Sequence, residues 1–220
     1  MADLTLKPRS SFEGLAEPGR YGHVVDGDRP VVIAERPRLS VAQISAQRGK
    51  TAPLAEAFRA AGLDLPQGPR RAANGGVAAI GMGPHEWLVT AEGEPGRATF
   101  ARIRDALPGL ASCVDQSHAK AVLRLAGPRA RDVLAKGCGL DLHQRGFKPG
   151  DAATTQIALI PCQLWQLDEV PTFELAVPLS YAGSFWAWLT ASAAEYGFEV
   201  LAPIADDAKP TMPSPRRNER

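Results

Sequence analysis

The order strand, helix, strand, strand, helix occurs twice along this chain, and that duplication restricts its fold more than any other feature. In the first half Val41 to Ser45 alternates as a strand, and Ala52 to Ala61 places Leu54, Ala57, Phe58 and Ala61 on one helical face before Gly62. Val77 to Ile80 and Trp87 to Thr90 follow as short strands about a Gly-Met-Gly-Pro turn, and Arg97 to Leu107 is a helix presenting Phe100, Ile103 and Leu107. The second half gives strand Ala121 to Leu125, helix Pro128 to Lys136 with Gly137 as its stop, strands Thr155 to Ile160 and Phe173 to Val177, and helix Ser180 to Tyr196. Corresponding elements stand about 80 to 86 positions apart, which suits a duplicated half and not a solenoid of three or more units. The expected class is α+β: two pseudo-repeated lobes, each a mixed or antiparallel sheet covered by helices.

This reading divides the chain into a first lobe over residues 41–110 and a second over 111–204. Residues 1–40 are dense in Gly and Pro, from Pro8 to Pro37, and predict an extended N-terminal arm. Residues 205–220 are polar and proline-rich, too poor in apolar surface to offset the entropy of ordering, and predict a disordered tail. With 45% hydrophobic residues the remainder can bury a sizeable core. A net charge of +1 gives no field to gather nucleic acid, and no apolar run is long enough to span a bilayer, so neither partner is expected. Cys113, Cys138 and Cys162 form no C-x-x-C pair and Met1-Ala-Asp-Leu-Thr5 does not read as a leader; a reduced, cytoplasmic protein is expected.

Several apparent motifs have plainer readings. Gly49-Lys50-Thr51 lacks the earlier glycine of a phosphate loop, because Ile44 stands there; Gly49 ends a strand and Thr51 suits a helix N-cap. Gly81-Met82-Gly83 runs into Pro84 and reads as a hairpin turn. His23, His85, His118 and His143 are scattered, without metal-ligand spacing, and no G-x-S-x-G elbow accompanies Cys113 or Cys162. Trp188 falls on the apolar stripe of the last helix, while Trp186 falls off it and suits an interface. Arg70-Arg71 and Arg216-Arg217 read as solvated surface.

The stretch from Val114 to Leu142 joins Asp, Ser, His and Cys in under thirty residues, as an active-site motif would. Cys113-Val-Asp-Gln-Ser-His118 leads into Ala121-Val-Leu-Arg-Leu125, then Ala126-Gly-Pro-Arg-Ala-Arg-Asp-Val-Leu134, then Lys136-Gly-Cys-Gly-Leu-Asp-Leu142. Asp115 and Ser117 can hydrogen-bond backbone at a bend, and Gly127-Pro128 opens a helix. The pattern D-x-S-H, short strand, G-P-x-A-x-x-x-L is similar to the folate-binding fold of the glycine cleavage T-protein family. The longer run D-Q-S-H-x-x-A-V-L-R-L-x-G-P-R-A-R-D-V-L-A-K-G-C resembles the gamma subunit of heterotetrameric sarcosine oxidase. Phe173-Glu-Leu-Ala-Val-Pro178 and Ser184-Phe-Trp-Ala-Trp-Leu189 extend that likeness over roughly residues 9 to 200.

The resemblance implies an accessory subunit, acting in assembly and stability, of a complex that oxidises sarcosine to glycine, forms hydrogen peroxide and passes the methyl carbon to tetrahydrofolate as methylenetetrahydrofolate. It places the cofactors on partners: NAD and tetrahydrofolate on alpha, FAD and FMN on beta with alpha, zinc on delta. For this chain it implies no catalytic, cofactor-binding or metal residues. T-protein-like enzymes carry a carboxylate pair on a second-lobe turn; here the aligned stretch Ile160 to Trp165 has no acid, while Asp168 and Glu169 fall in the next hairpin. The same fold admits a free-standing folate-binding aminomethyltransferase, or an iron-sulfur maintenance protein whose loop begins like Lys136-Gly-Cys138 but departs at Gly139. It also admits a gamma chain of another N-methyl amino acid oxidase or dehydrogenase.

Overall fold

The computed structural model describes residues 10–23 and 31–203. In chain order the elements are β1 (Gly19–Tyr21), β2 (Val31–Glu35), β3 (Ser40–Ala46), α1 (Thr51–Ala60), β4 (Arg71–Asn74), β5 (Val77–Gly83), β6 (Glu86–Ala91), α2 (Gly93–Asp105) and β7 (Ala111–Asp115). The second half continues with β8 (Lys120–Ala126), α3 (Ala130–Ala135), β9 (Ala152–Ile157), β10 (Ile160–Asp168), β11 (Thr172–Pro178), α4 (Ala182–Ala193) and β12 (Phe198–Val200). They form a five-stranded antiparallel sheet, β4-β5-β6-β3-β7, and a seven-stranded sheet, β1-β12-β2-β8-β11-β10-β9, in which only β12 and β2 run parallel.

Strand alternation decides how these sheets stack. In β8, Ala121, Leu123 and Leu125 join a core with Val133 and Leu134 of α3 and Phe185 and Leu189 of α4. In the smaller sheet Ile44, Val77, Ala79 and Val89 pack on Leu54 and Phe58 of α1 and Ile103 of α2. The intervening positions, Val41, Ala78, Ile80 and Leu88 from one sheet and Val122, Trp165 and Ala176 from the other, meet each other. The result is four layers, helices, sheet, sheet, helices, with a third core between the two sheets.

The α+β class and the pseudo-repeat hold, and Ser40–Ala46 corresponds to Lys120–Ala126 as the spacing predicts. Each half carries a further strand on entry to its hairpin and another at its end. The expected strand Thr155 to Ile160 straddles a turn at Ala158-Leu159, where both residues have positive φ (50° and 65°) although neither is glycine. Ile160 to Trp165, expected as a turn, is therefore the start of β10.

The lobe boundaries also differ. Val31–Glu35, inside the supposed arm, is buried along its length and sits between β12 and β8. A short Val-Val-Ile run was outweighed by the Gly and Pro around it. Strand β7, expected in the second lobe, pairs with β3 of the first sheet. Phe12 packs at 5.6 Å between ring centroids on Trp186, so Trp186 is buried core, while Trp188 is the half-buried one. The supposed tail, 205–220, with Arg216-Arg217, lies outside the described residues, as do 1–9 and 24–30.

Two glycines do work other than ending elements. Gly137 has no positive φ; its missing side chain admits Trp188, whose Cζ2 would lie 2.6 Å from an added Cβ. At Gly81 an added Cβ would lie 1.9 Å from the Gly68 carbonyl oxygen, a backbone atom held by Arg70 N–H at 2.9 Å. Gly81→Ala is therefore expected to lower stability by about 1–3 kcal/mol, read as a lower urea midpoint. An unchanged midpoint would contradict the close approach.

Candidate functional site: a charged cavity between the sheets

Cross-strand register places a polar row in the otherwise apolar layer between the sheets. Ala34 of β2 stands opposite Arg124 of β8, Arg124 opposite Glu174 of β11, and Glu174 opposite Trp165 of β10. Residues in one row share a face, so all four point toward the smaller sheet. Arg36, just past β2, enters the same layer, its N–H bonded to the Val122 carbonyl. From the smaller sheet Arg71 stands opposite Ile80, and Ile80 belongs to the inter-sheet core.

Glu174 is 4% exposed, Arg36 8% and Arg124 9%. Burying such charges is tolerable only when they are paired and hydrogen-bonded. Glu174 Oε1 accepts from Arg124 Nη2 at 2.6 Å and Nε at 3.2 Å, and Oε2 accepts from Trp165 Nε1 at 2.9 Å. Arg36 Nε lies 3.1 Å from Glu174 Oε1, an ion pair without hydrogen-bond alignment, and Arg36 Nη2 pairs with Glu92 at the mouth of α2. Arg71 Nε is buried with no hydrogen-bond partner. Burial pulls the Arg71 guanidinium below its usual pKa, and Glu174 and Glu92 oppose that pull.

These side chains line a cavity of about 190 Å³, closed on one side by the Gly75-Gly76 turn between β4 and β5. That turn is clamped to the start of α2. Glu92 N–H donates to the Gly76 carbonyl at 2.8 Å, and an added Cβ on Gly96 would lie 2.3 Å from the same oxygen. Sequence reading passed over this cluster. Of the Arg70-Arg71 pair expected on the solvated surface, only Arg70 lies there, pairing with Asp151 at 2.6 Å while half its side chain stays exposed. The available signal was one Arg and one Glu, each alone in an apolar strand, in Val-Leu-Arg124-Leu and Phe-Glu174-Leu-Ala.

The residues that drew attention in the sequence do not converge. Asp115 Oδ1 accepts from Ser117 N–H at 2.8 Å, and Ser117 Oγ accepts from Val41 N–H at 3.0 Å; both bond backbone at a bend as expected, and the second bond also fastens that bend to β3. Hydrogen bonding from Ser117 holds the Asp115 carboxyl below its usual pKa. His85 contacts Thr51 Oγ1 at 2.8 Å, and Thr51 begins α1 without capping it. Cys113 is exposed, Cys138 and Cys162 are buried, and all three are free. Burial pushes the Cys162 thiol far up, which opposes a nucleophilic thiolate. Asp168 caps its own hairpin, accepting from Val170 N–H at 3.0 Å. Among the described residues no group of three His, Cys, Asp or Glu could hold a metal, and no helix is long and apolar enough to cross a membrane.

Residues 47–195, from the loop before α1 to the end of α4 and its following turn, match the model of the sarcosine oxidase, gamma subunit family. The chain belongs to that family. A gamma subunit from Corynebacterium sp. strain U-96 is 33% identical over 207 residues, covering 92% of this chain and 98% of the relative. One from Arthrobacter sp. is 34% identical over 172 residues, covering 77% and 82%. Among solved structures, a chain of heterotetrameric sarcosine oxidase from Corynebacterium sp. U-96 superposes with a TM-score of 0.73 at 30% identity, covering 90% of this chain and 98% of that one. The glycine cleavage aminomethyltransferase T from Bartonella henselae matches with a TM-score of 0.56 at 15% identity over 80% of this chain and 48% of that one, which establishes a shared fold. The gamma-family resemblance and the T-protein-like fold read from residues 113–142 both hold.

Proposed function

We propose that this chain is the non-catalytic gamma subunit of a cytoplasmic heterotetrameric sarcosine oxidase, contributing to assembly and stability alongside alpha, beta and delta partners. The complex would convert sarcosine to glycine with hydrogen peroxide and methylenetetrahydrofolate. Its FAD, FMN, NAD, tetrahydrofolate and zinc would sit on the partners. The observation that carries this reading is the end-to-end match to a gamma-family fold, 98% of the solved chain covered. The interior supports it. The Ile160–Trp165 stretch, where the T-protein-like fold would carry an acid, is strand, with Cys162 and Leu164 in the helix-side core and Trp165 between the sheets. The carboxylate nearest that stretch in the layer, Glu174, is committed to two arginines and a tryptophan.

Co-expressing the other subunits with and without this chain tests the proposal. Omission is expected to reduce the yield of assembled flavoprotein, and the isolated chain is expected to show no micromolar affinity for tetrahydrofolate in a calorimetric titration. Micromolar binding by the lone chain would replace this reading with an aminomethyltransferase. Turnover of the assembled complex on sarcosine against other N-methyl amino acids separates sarcosine oxidase from its relatives.

A further inference from the structure

The cavity between the sheets is lined by three guanidiniums, Arg36, Arg71 and Arg124, and two carboxylates, Glu92 and Glu174. Both carboxylates are engaged. Glu174 serves Arg124, Arg36 and Trp165, and Glu92 serves Arg36. Among the described residues Arg71 makes no ion pair, and its Nε is buried without a partner. One positive charge therefore remains in excess, on a side chain that lines an open volume.

We propose that this cavity binds a small monocarboxylate on the guanidinium of Arg71, which lines it. A carboxylate is planar, and its two oxygens match the parallel N–H bonds of a guanidinium edge, which a tetrahedral anion matches less well. The volume of about 190 Å³ exceeds several times the roughly 30 Å³ share of a water, so it admits a carboxylate with a few further atoms. Glu92 and Glu174 oppose a second negative charge and restrict the ligand to a monoanion. A bound carboxylate would also offset the desolvation that now depresses the Arg71 pKa. The Gly75-Gly76 turn fits the same role. An added Cβ on Gly76 would meet the Glu92 carbonyl at 2.7 Å, so the turn lies tight against the base of α2 and holds the cavity wall in place. This inference stands on the cavity alone and does not depend on assembly with partners.

Thermal unfolding of the full chain, titrated with acetate or glycolate against sodium chloride and sodium sulfate at constant ionic strength, provides the test. The expected result is a saturable rise in midpoint with the carboxylates only. Arg71→Gln should abolish that rise, and Arg71→Lys, which keeps the charge but not the fork, should weaken apparent affinity about tenfold. In chloride Arg71→Gln should be no less stable than the parent, since it removes a desolvated, unpaired cation. The proposal is overturned by a carboxylate-induced rise that survives Arg71→Gln, by an equal rise with sulfate or chloride, or by no rise up to about 0.1 M carboxylate. Should Arg71→Gln fail to fold, the Arg71→Lys titration decides alone: undiminished affinity overturns the proposal and a clear loss supports it.

Discussion

Glu174→Ala should cost about 3–5 kcal/mol of folding stability, the usual consequence of removing one partner from a buried ion pair. It leaves Arg124 without its ion-pair partner and Arg36 with Glu92 alone, and leaves Trp165 Nε1 without an acceptor. The cost comes from stranded charges, not from lost attraction. Replacing both members of the β8–β11 pair, Arg124→Met with Glu174→Leu, should therefore recover much of the loss. Urea unfolding of the two single variants and the double variant measures this, and the signature is strong non-additivity. If the double variant lost the sum of the two single losses, the pairing described here would be wrong.

Trp165→Ala should be nearly as damaging, at about 3–5 kcal/mol, because the indole is wholly buried where the two sheets meet. Two effects combine there: a cavity in the inter-sheet core, and a Glu174 oxygen deprived of its donor. Trp165→Phe separates them. It keeps most of the apolar volume while losing the N–H, and is expected to cost about 1–3 kcal/mol. Equal losses for Phe and Ala, from the same denaturation curves, would show that the hydrogen bond to Glu174 outweighs packing. A neutral Ala variant would place Trp165 outside the core altogether. Either loss should also show as a smaller fraction of this chain recovered in complex with its partners, since a subunit that unfolds more often is captured less often.

How far the sequence alone reached follows from which residues carry a local signal. Strands such as Ser40–Ala46 and Lys120–Ala126 are short runs rich in apolar residues, bounded by polar or glycine positions, so they are legible to within a residue or two. The turn at Ala158-Leu159 was not, because it takes a left-handed conformation with residues that normally avoid it, and nothing punctuates Thr-Gln-Ile-Ala-Leu-Ile. The equivalent turn in the first half uses Gly75-Gly76, which is the expected chemistry. Strand β2 was hidden by its neighbours' composition, and Trp186 was misplaced because Phe12, from a segment read as irregular, covers it.

The charged site was half legible. Arg124 and Glu174 each break an apolar strand, and two such interruptions of opposite sign invite pairing. Arg36 and Arg71 carry no such mark. Their convergence depends on two sheets packing face to face, with β4 at one edge, and that contact is written in no local pattern. Conversely, the segment from Val114 to Leu142 looked like a place for chemistry and is a fastening. Asp115 and Ser117 fasten the bend between β7 and β8 to β3, and Gly137 makes room for Trp188.

The most direct test of the assembly role is native mass spectrometry of material purified through a tag on this chain after co-expression with its neighbouring subunits. The account predicts one dominant species with the mass of four different chains and the visible absorbance of flavin. A colourless species with the mass of this chain alone, formed while the remaining subunits assemble without it, would contradict it.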